Sequence, residues 1–343
     1  MDVWVERVTD QIIAPVVYLQ STDPYFPTDL TVFLEHTTPR VNFTEVPGPS
    51  KPLTLDNVNQ DADTVFLTSN DDVTQNPNWI KGTKPDATGK TNGATTAAII
   101  VNDKGNGNVD AFYMYFYAYN WGGEVLGFDA LNFGKSCHLR SLEILLTYNS
   151  QGNHVGDWEH NMVRFLNGVP QAVWYSQHAN GQAFKYPSVE KTEAGRPIAY
   201  SANGSHANYA ISGTHDHTIP NFNLPGGVLE DHTDRGVYWD PILSAYYFKF
   251  DASANSFTPY DASTPTNWLS YKGRWGDEEY LTSDKRQVKL FGQAKYASGP
   301  TGPANKQLNR DKVCPDNGQT CILRTILVPR RAGDEESQNA VFT

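Results

Sequence analysis

Cysteine is scarce in this chain, three among 343 residues. Small secreted domains that rely on disulfides carry a denser, even set. Cys314 and Cys321 flank Pro-Asp-Asn-Gly-Gln-Thr, a turn-forming loop that a disulfide would close, while Cys137 has no obvious mate. Free thiols in a reducing compartment are the expectation on that count. Positive charge is also short: 27 Lys and Arg stand against 38 Asp and Glu, a formal net charge of −11. That balance argues against phosphate-backbone binding, which needs a basic surface, and against a polybasic membrane patch. No apolar run approaches the roughly 18 residues of a membrane span. The start, Met-Asp-Val-Trp-Val-Glu-Arg, lacks the basic segment and apolar core of a secretory signal. A cytoplasmic location is the expectation. Asn42-Phe-Thr and Asn203-Gly-Ser fit the glycosylation acceptor pattern, which is short and common, so without a signal no weight is placed on either.

The strong chemical motifs are missing too. There is no His-Glu-x-x-His, no paired Cys-x-x-Cys and no Gly-x-Ser-x-Gly. Gly82 to Thr91 ends in Gly-Lys-Thr like a phosphate loop, but position 84 is Lys where the motif needs Gly, and no apolar strand precedes it.

What the chain does have is aromatic and turn-forming: 18 Tyr, 16 Phe, 8 Trp, 27 Gly and 21 Pro. This composition predicts an all-β or β-dominated fold, a single domain of antiparallel, sandwich-like sheets with long Pro/Gly-rich loops and a few short helices. The domain spans 1–343, with a core over about 10–328 and a polar tail over 330–343. After Asp23-Pro-Tyr-Phe-Pro, Thr28 or Asp29 caps a short helix through Leu34. Residues 37–60 read as loop. Ala97–Asn102 reads as a strand, Lys104-Gly-Asn-Gly-Asn as a hairpin turn, and Val109–Trp121 as a returning strand buried on both faces. Residues 138–149 fit either a short helix or a strand.

Four of the nine histidines fall between Gly152 and Tyr209, in three segments: Gly-Asn-His-Val-Gly-Asp-Trp-Glu-His from 152, Val-Trp-Tyr-Ser-Gln-His from 173, and Ile-Ala-Tyr-Ser-Ala-Asn-Gly-Ser-His from 198. Gly152, Gly156 and Gly168 disfavour a helix, so the segments read as strands. A period of two places His154, Trp158, His160 and Met162 on one face. Asp157 and Glu159 then sit side by side on the other, about 7 Å apart by the strand rise. Pairing the three strands would bring His178 and His206 to strand ends. The candidate catalytic groups are His154, Asp157, Glu159, His160, His178 and His206. The candidate substrate contacts are Tyr115, Tyr117, Trp158, Tyr175, Gln177, Tyr200 and Ser205. Nearby, His215 and His217 alternate with Asp216, as do many solvated polar loops.

Taken together, His154-Val-Gly-Asp-Trp-Glu-His, Ser176-Gln-His and Ala202-Asn-Gly-Ser-His-Ala resemble the vacuolar protein sorting-associated protein 62 family of fungi. The likeness extends from Tyr-Phe-Pro-Thr-Asp-Leu near residue 25 to Gly299-Pro-Thr-Gly-Pro. The family name implies trafficking and no defined chemistry, and a member lacking an entry signal reads as a soluble relative used in specialised metabolism. An aromatic cavity with imidazole and amide donors can fold an apolar substrate and polarise a carbonyl without a cofactor. A cofactor-independent cyclase or isomerase, of the pericyclase or Diels-Alderase kind, acting on an apolar terpenoid- or polyketide-like substrate is therefore the leading expectation. Two others stay open: a hydrolase using a divalent metal on Asp157, His160, His178 and His206, and a non-enzymatic trafficking or ligand-binding protein. The same side chains would also serve as a buried polar network joining strands.

Overall fold

The computed structural model describes residues 13–47, 52–58, 64–125, 150–216, 229–290 and 293–328. Expectations for Cys137, His217, residues 138–149 and the tail from 330 fall outside these.

Strand succeeds strand along the chain: β1 Val16–Leu19, β2 Thr37–Val41, β3 Thr44–Glu45, β4 Phe66–Ser69, β5 Ala97–Gly105, β6 Asn108–Asn120, β7 Gly123–Val125 and β8 Ser150–Gln151. They continue as β9 His154–Leu166, β10 Val169–Gln177, β11 Asn180–Lys185, β12 Ile198–Ser201, β13 Asn208–Tyr209, β14 Gly213–Asp216, β15 Leu229–Thr233 and β16 Val237–Trp239. The last are β17 Ala245–Asp251, β18 Ser256–Pro259, β19 Lys289–Leu290, β20 Gln293–Ala294 and β21 Leu323–Arg324. The helix α1, Leu30–Glu35, starts where Asp29 accepts from the backbone N–H groups of Thr31 and Val32, satisfying two of the donors a helix start leaves open.

The fold is strand-dominated. Its central sheet has eight strands in the order β18-β17-β5-β6-β9-β10-β11-β21. Most of its ladders are antiparallel, but β5 with β17 and β11 with β21 run parallel, which a purely antiparallel expectation misses. Asn106 and Gly107, both at positive φ, make the β5–β6 turn, where left-handed backbone matches the strand twist. In β6, Phe112, Met114 and Phe116 face one core while Tyr113, Tyr115 and Tyr117 face a second, the alternation a doubly buried strand must show. Trp158, Trp268 and Trp275 fill the first, with Trp158 stacked on Trp268 and edge-on to Trp275. Each such ring adds roughly 1.5–3 kcal/mol by leaving water. The second is closed by a small sheet, β13-β12-β1-β16, through Val17, Ala199 and Trp239. This gives the sandwich-like layering.

Two local expectations fail. Residues 37–45 form a hairpin, β2–β3, rather than loop; β2 also pairs with β4. The third histidine segment does not pair beside the first. β10 does pair with β9, but β12 and β13 belong to the small covering sheet. Among the described residues no helix is long and apolar enough to cross a membrane.

Candidate active site

Gly156 sets the geometry of the first histidine segment. Its φ is +67° and a Cβ there would stand 2.1 Å from the Trp275 carbonyl oxygen, so only glycine fits. Strict alternation is lost at this point. Val155 joins Trp158 in the first core. His154, expected beside Trp158 and His160, lies instead close enough to Asp157 and His206 for their charges to act on it, its Nδ1 2.7 Å from the Gly156 carbonyl oxygen. Burial pulls the His154 pKa down, against the pull of Asp157.

Asp157 is the centre of the arrangement. Asn120 donates to its Oδ2 at 2.9 Å, and Nδ1 of His206 lies 3.0 Å from the same oxygen. Nε2 of His206 lies 3.4 Å from Oδ2 of Asp23, an oxygen that also accepts from the Gly204 N–H. The imidazole is therefore bracketed by two carboxylates and lies flat on Tyr117, with ring centroids 3.8 Å apart. A tight turn presents it: Ala202 N–H donates to the Ala207 carbonyl, and His206 takes a left-handed φ of 55°. Burial alone would lower the His206 pKa, but Asp23 and Asp157 raise it. Asp157 goes the other way. Burial would raise it, yet His206, His154 and Asn120 bring it below the usual carboxylate value.

Glu159, two residues on and facing the same side, is held in the opposite condition. Burial and the charge of Asp157 push its pKa well up, with Lys306 and Ser176 opposing. The Ser176 hydroxyl donates to Glu159 Oε2 and accepts from the His160 N–H at 2.9 Å. Lys306 donates to the Trp158 carbonyl at 2.9 Å. Burial lowers its pKa while Glu159 and Asp157 raise it. The two carboxylates are thus shifted in opposite directions although they neighbour each other on one strand.

A second array adjoins the first. Asp231, 1% exposed, receives Ser205 Oγ and Tyr209 OH at 2.6 Å each. Its Oδ2 lies 2.6 Å from His178 Nε2. Burial would lower the His178 pKa; Asp231 raises it. The His178 side chain keeps 28% of its surface exposed and is how this array reaches solvent. His215 stacks on Tyr209 with its Nε2 2.9 Å from Thr233 Oγ1. Asn120 also donates to the Ser205 carbonyl, linking the arrays. Neither serine is set up as a nucleophile against an imidazole, since Ser205 gives its proton to Asp231 and Ser176 to Glu159.

Of the expected catalytic residues, then, His154, Asp157, Glu159, His178 and His206 come together and His160 does not. His160 points into the first core, where Arg310 donates to its Nε2 at 2.8 Å and burial and Arg310 hold its pKa well below the usual value. The four-residue metal set is therefore not assembled, and no group of three His, Cys, Asp or Glu among the described residues is placed to hold a metal ion. The expected aromatic wall is not assembled either. Trp158 faces the first core. Tyr115 and Tyr175 are fully buried, donating to Asn161 Oδ1 and the Ile198 carbonyl. Tyr200 is buried in a third cluster, donating to Glu190 and stacking on Tyr18. Only Tyr117 of these rings lies against the Asp157 array. Half-buried Gln177 donates to the Asn208 carbonyl and Ser205 serves Asp231.

Four participants escaped the sequence reading: Asp23, Asn120, Asp231 and Lys306. Asp23 stood in a Pro-rich turn and reaches Gly204 across 181 residues; Asp231 stood in an Asp-His-Thr-Asp run that reads as solvated loop and reaches Ser205 and His178 across 26 and 53, so no local spacing announced either.

Comparison with known proteins places the chain in a class. Residues 131–294 match the family described as vacuolar protein sorting-associated protein 62, and over these residues the chain belongs with that family, as the three histidine segments implied. Two relatives are from Saccharomyces cerevisiae. The chain is 34% identical to vacuolar protein sorting-associated protein TDA6 over 333 residues, covering 88% of this chain and 66% of that one. It is 38% identical to vacuolar protein sorting-associated protein 62 over 266 residues, covering 73% and 52%. The chain thus spans about half to two-thirds of these relatives' length. Among solved structures, one described as a toxin fold in microbial attack and plant defence aligns with a TM-score of 0.29 at 11% identity, covering 72% and 75% of the two chains. NLPPya in complex with mannosamine aligns with 0.29 at 8% identity, covering 72% and 74%. Likenesses this loose carry no argument about function.

Proposed function

We propose that this chain is a small-molecule enzyme that moves protons, a cyclase or isomerase requiring no cofactor for its step. The observation that supports it is the pair Asp157 and Glu159: neighbouring carboxylates on one strand, the first held by His206 and Asn120 and drawn below the usual carboxylate value, the second buried against Ser176 and pushed well above its own. Splitting two like groups in this way is how one site supplies both an acid and a base near neutral pH. Glu159 protonates a carbonyl or alkene carbon of the substrate. Asp157, with His206 bracing it, takes a proton from another position, so the product is an isomer of the substrate. Each proton transfer contributes on the order of 10² to 10⁴ in rate. Half-buried His154 and Gln177 and exposed His178 mark the side of approach. A pericyclic closure of an apolar terpenoid- or polyketide-like substrate would rest on an aromatic wall, and there only Tyr117 gives it support.

The test is a mass balance. A strain lacking the gene is complemented with the wild type, Glu159→Gln or His206→Asn, and its metabolites are compared. An isomerase predicts that both variants accumulate a compound of the same elemental composition as the missing product. Infrared spectra of the purified protein should show a carboxylic-acid C=O band that Glu159→Gln removes. A normal metabolite profile with both folded variants would sink the proposal. It would favour the second reading, which the relatives' names suggest: a non-enzymatic vacuolar sorting or ligand-binding protein, for which the arrays are structural.

A further inference from the structure

We propose that Asn42 carries an N-linked glycan and that the protein matures in an oxidising, glycosylating compartment. This departs from the cytoplasmic expectation, and two independent features of the molecule carry it.

The first is a bond. Cys314 and Cys321 are joined as a disulfide with their Cα atoms 5.5 Å apart, within the range an unstrained bridge needs. Cytosolic thiol buffers keep such pairs reduced. The pair also packs against the first core, as a structural bridge would and a sensor thiol would not. Closing it removes two electrons and two protons, which a thiol oxidase of that compartment accepts.

The second is the placement of the two acceptor sequences. Asn42-Phe43-Thr44 is the tip of the β2–β3 hairpin. Asn42 and Phe43 both take left-handed φ, 50° and 59°, the conformation of a two-residue turn. All three residues are exposed. The backbone is fixed, Asn42 N–H donating to Glu278 and the Thr44 hydroxyl to the Asn42 carbonyl. The side chain thus stands on a rigid surface turn with the hydroxyl residue the acceptor needs two positions on. Asn203-Gly204-Ser205 is the reverse. Its Oδ1 is buried, its N–H is bonded to the His232 carbonyl, the Gly204 N–H is taken by Asp23 and the Ser205 hydroxyl by Asp231. These bonds tie that turn into the site, whereas Asn42-Phe43-Thr44 stands exposed at a hairpin tip.

In the step itself Asn42 Nδ2 bonds to the anomeric carbon of a sugar carried on a polyprenyl diphosphate. The bond from that carbon to the diphosphate oxygen breaks, its electrons leave with the diphosphate, and the amide proton passes to base. The full chain, expressed in yeast from its own gene, is purified and alkylated without reductant. It is then treated with an N-glycan amidase in heavy-oxygen water and mapped by mass spectrometry. The expected result is an isotope-marked aspartate at position 42 and none at 203, with Cys314 and Cys321 alkylated only after reduction. Thr44→Ser should keep the glycan. Thr44→Ala should lose it while leaving the left-handed Asn42 in place. An unmodified Asn42, a glycan on Asn203, or free thiols in the native protein each overturn the proposal.

Discussion

His206 between two carboxylates makes the protein's stability depend on pH in a way that can be signed. Its folded pKa lies above the ordinary 6.5, so its contribution is full below that value and fades as pH rises through the raised one. Asp157 lies below the ordinary 3.8, so its contribution holds above that value and fades as pH falls through the lowered one. The pair stabilises the fold most between these ordinary values. His206→Asn should cost about 3 kcal/mol at pH 6, the usual consequence of leaving a buried charge without its partner, and less at high pH. Glu159→Gln should differ. Burial and the charge of Asp157 raise the Glu159 pKa above the ordinary 4.5, so the wild type loses stability as pH climbs past that value while the variant does not. At pH 6 the variant should fall within about 1 kcal/mol of the wild type, because a glutamine oxygen still accepts from Ser176. Urea unfolding at intervals from pH 5 to pH 8 reads all of this. Equal losses in the two variants would remove the opposite shifts of Asp157 and Glu159.

One residue of β9 governs where its neighbours point, and at the scale of the element this divides what could be read in advance from what could not. Period-two reading correctly placed Asp157 with Glu159 and opposed them to Trp158 and His160. It failed at His154, because the left-handed φ of Gly156 shifts the preceding residues, and a glycine in a strand does not declare its φ. The strands β5, β6, β9 and β10 were legible, as were the hairpin at Asn106-Gly107 and the Asp29 cap, since each rests on local chemistry. The pairing of β12 with β1 was not, because partners some 180 residues apart leave no local trace. Gly156→Ala should therefore cost about 2 kcal/mol or more, from the left-handed backbone and the approach to Trp275. It should also move the His154 resonances in a proton–nitrogen spectrum. A variant as stable as the wild type would show that the turn at 156 is not what places His154.

Across the whole molecule, the segment from Pro303 to Arg324 is the strap that ties the outer loops to the central sheet. Arg164 donates to the carbonyls of Arg310 and Asp311 while holding Asp110 by both guanidinium ends. Asn102 donates to the Leu308 carbonyl, and β21 adds to the free edge of β11. Within the strap, Gln307 and Asp316 exchange hydrogen bonds, which couples the disulfide loop to the turn that carries Lys306 toward Glu159. A loop this short, closed by Cys314–Cys321, is worth about 2.5 kcal/mol by chain entropy. Cys314→Ser with Cys321→Ser should lose about that much. Hydrogen exchange should quicken over 303–324 and stay slow in β6 and β9, whose amides open only with global unfolding. The carboxylic-acid band of Glu159 should persist to higher pH in the double variant, since a loosened Lys306 no longer draws the proton off. If exchange quickened across β6 and β9 as well, the disulfide would be holding the central sheet and not the strap; if the band stayed unmoved, Lys306 would have no electrostatic hold on Glu159.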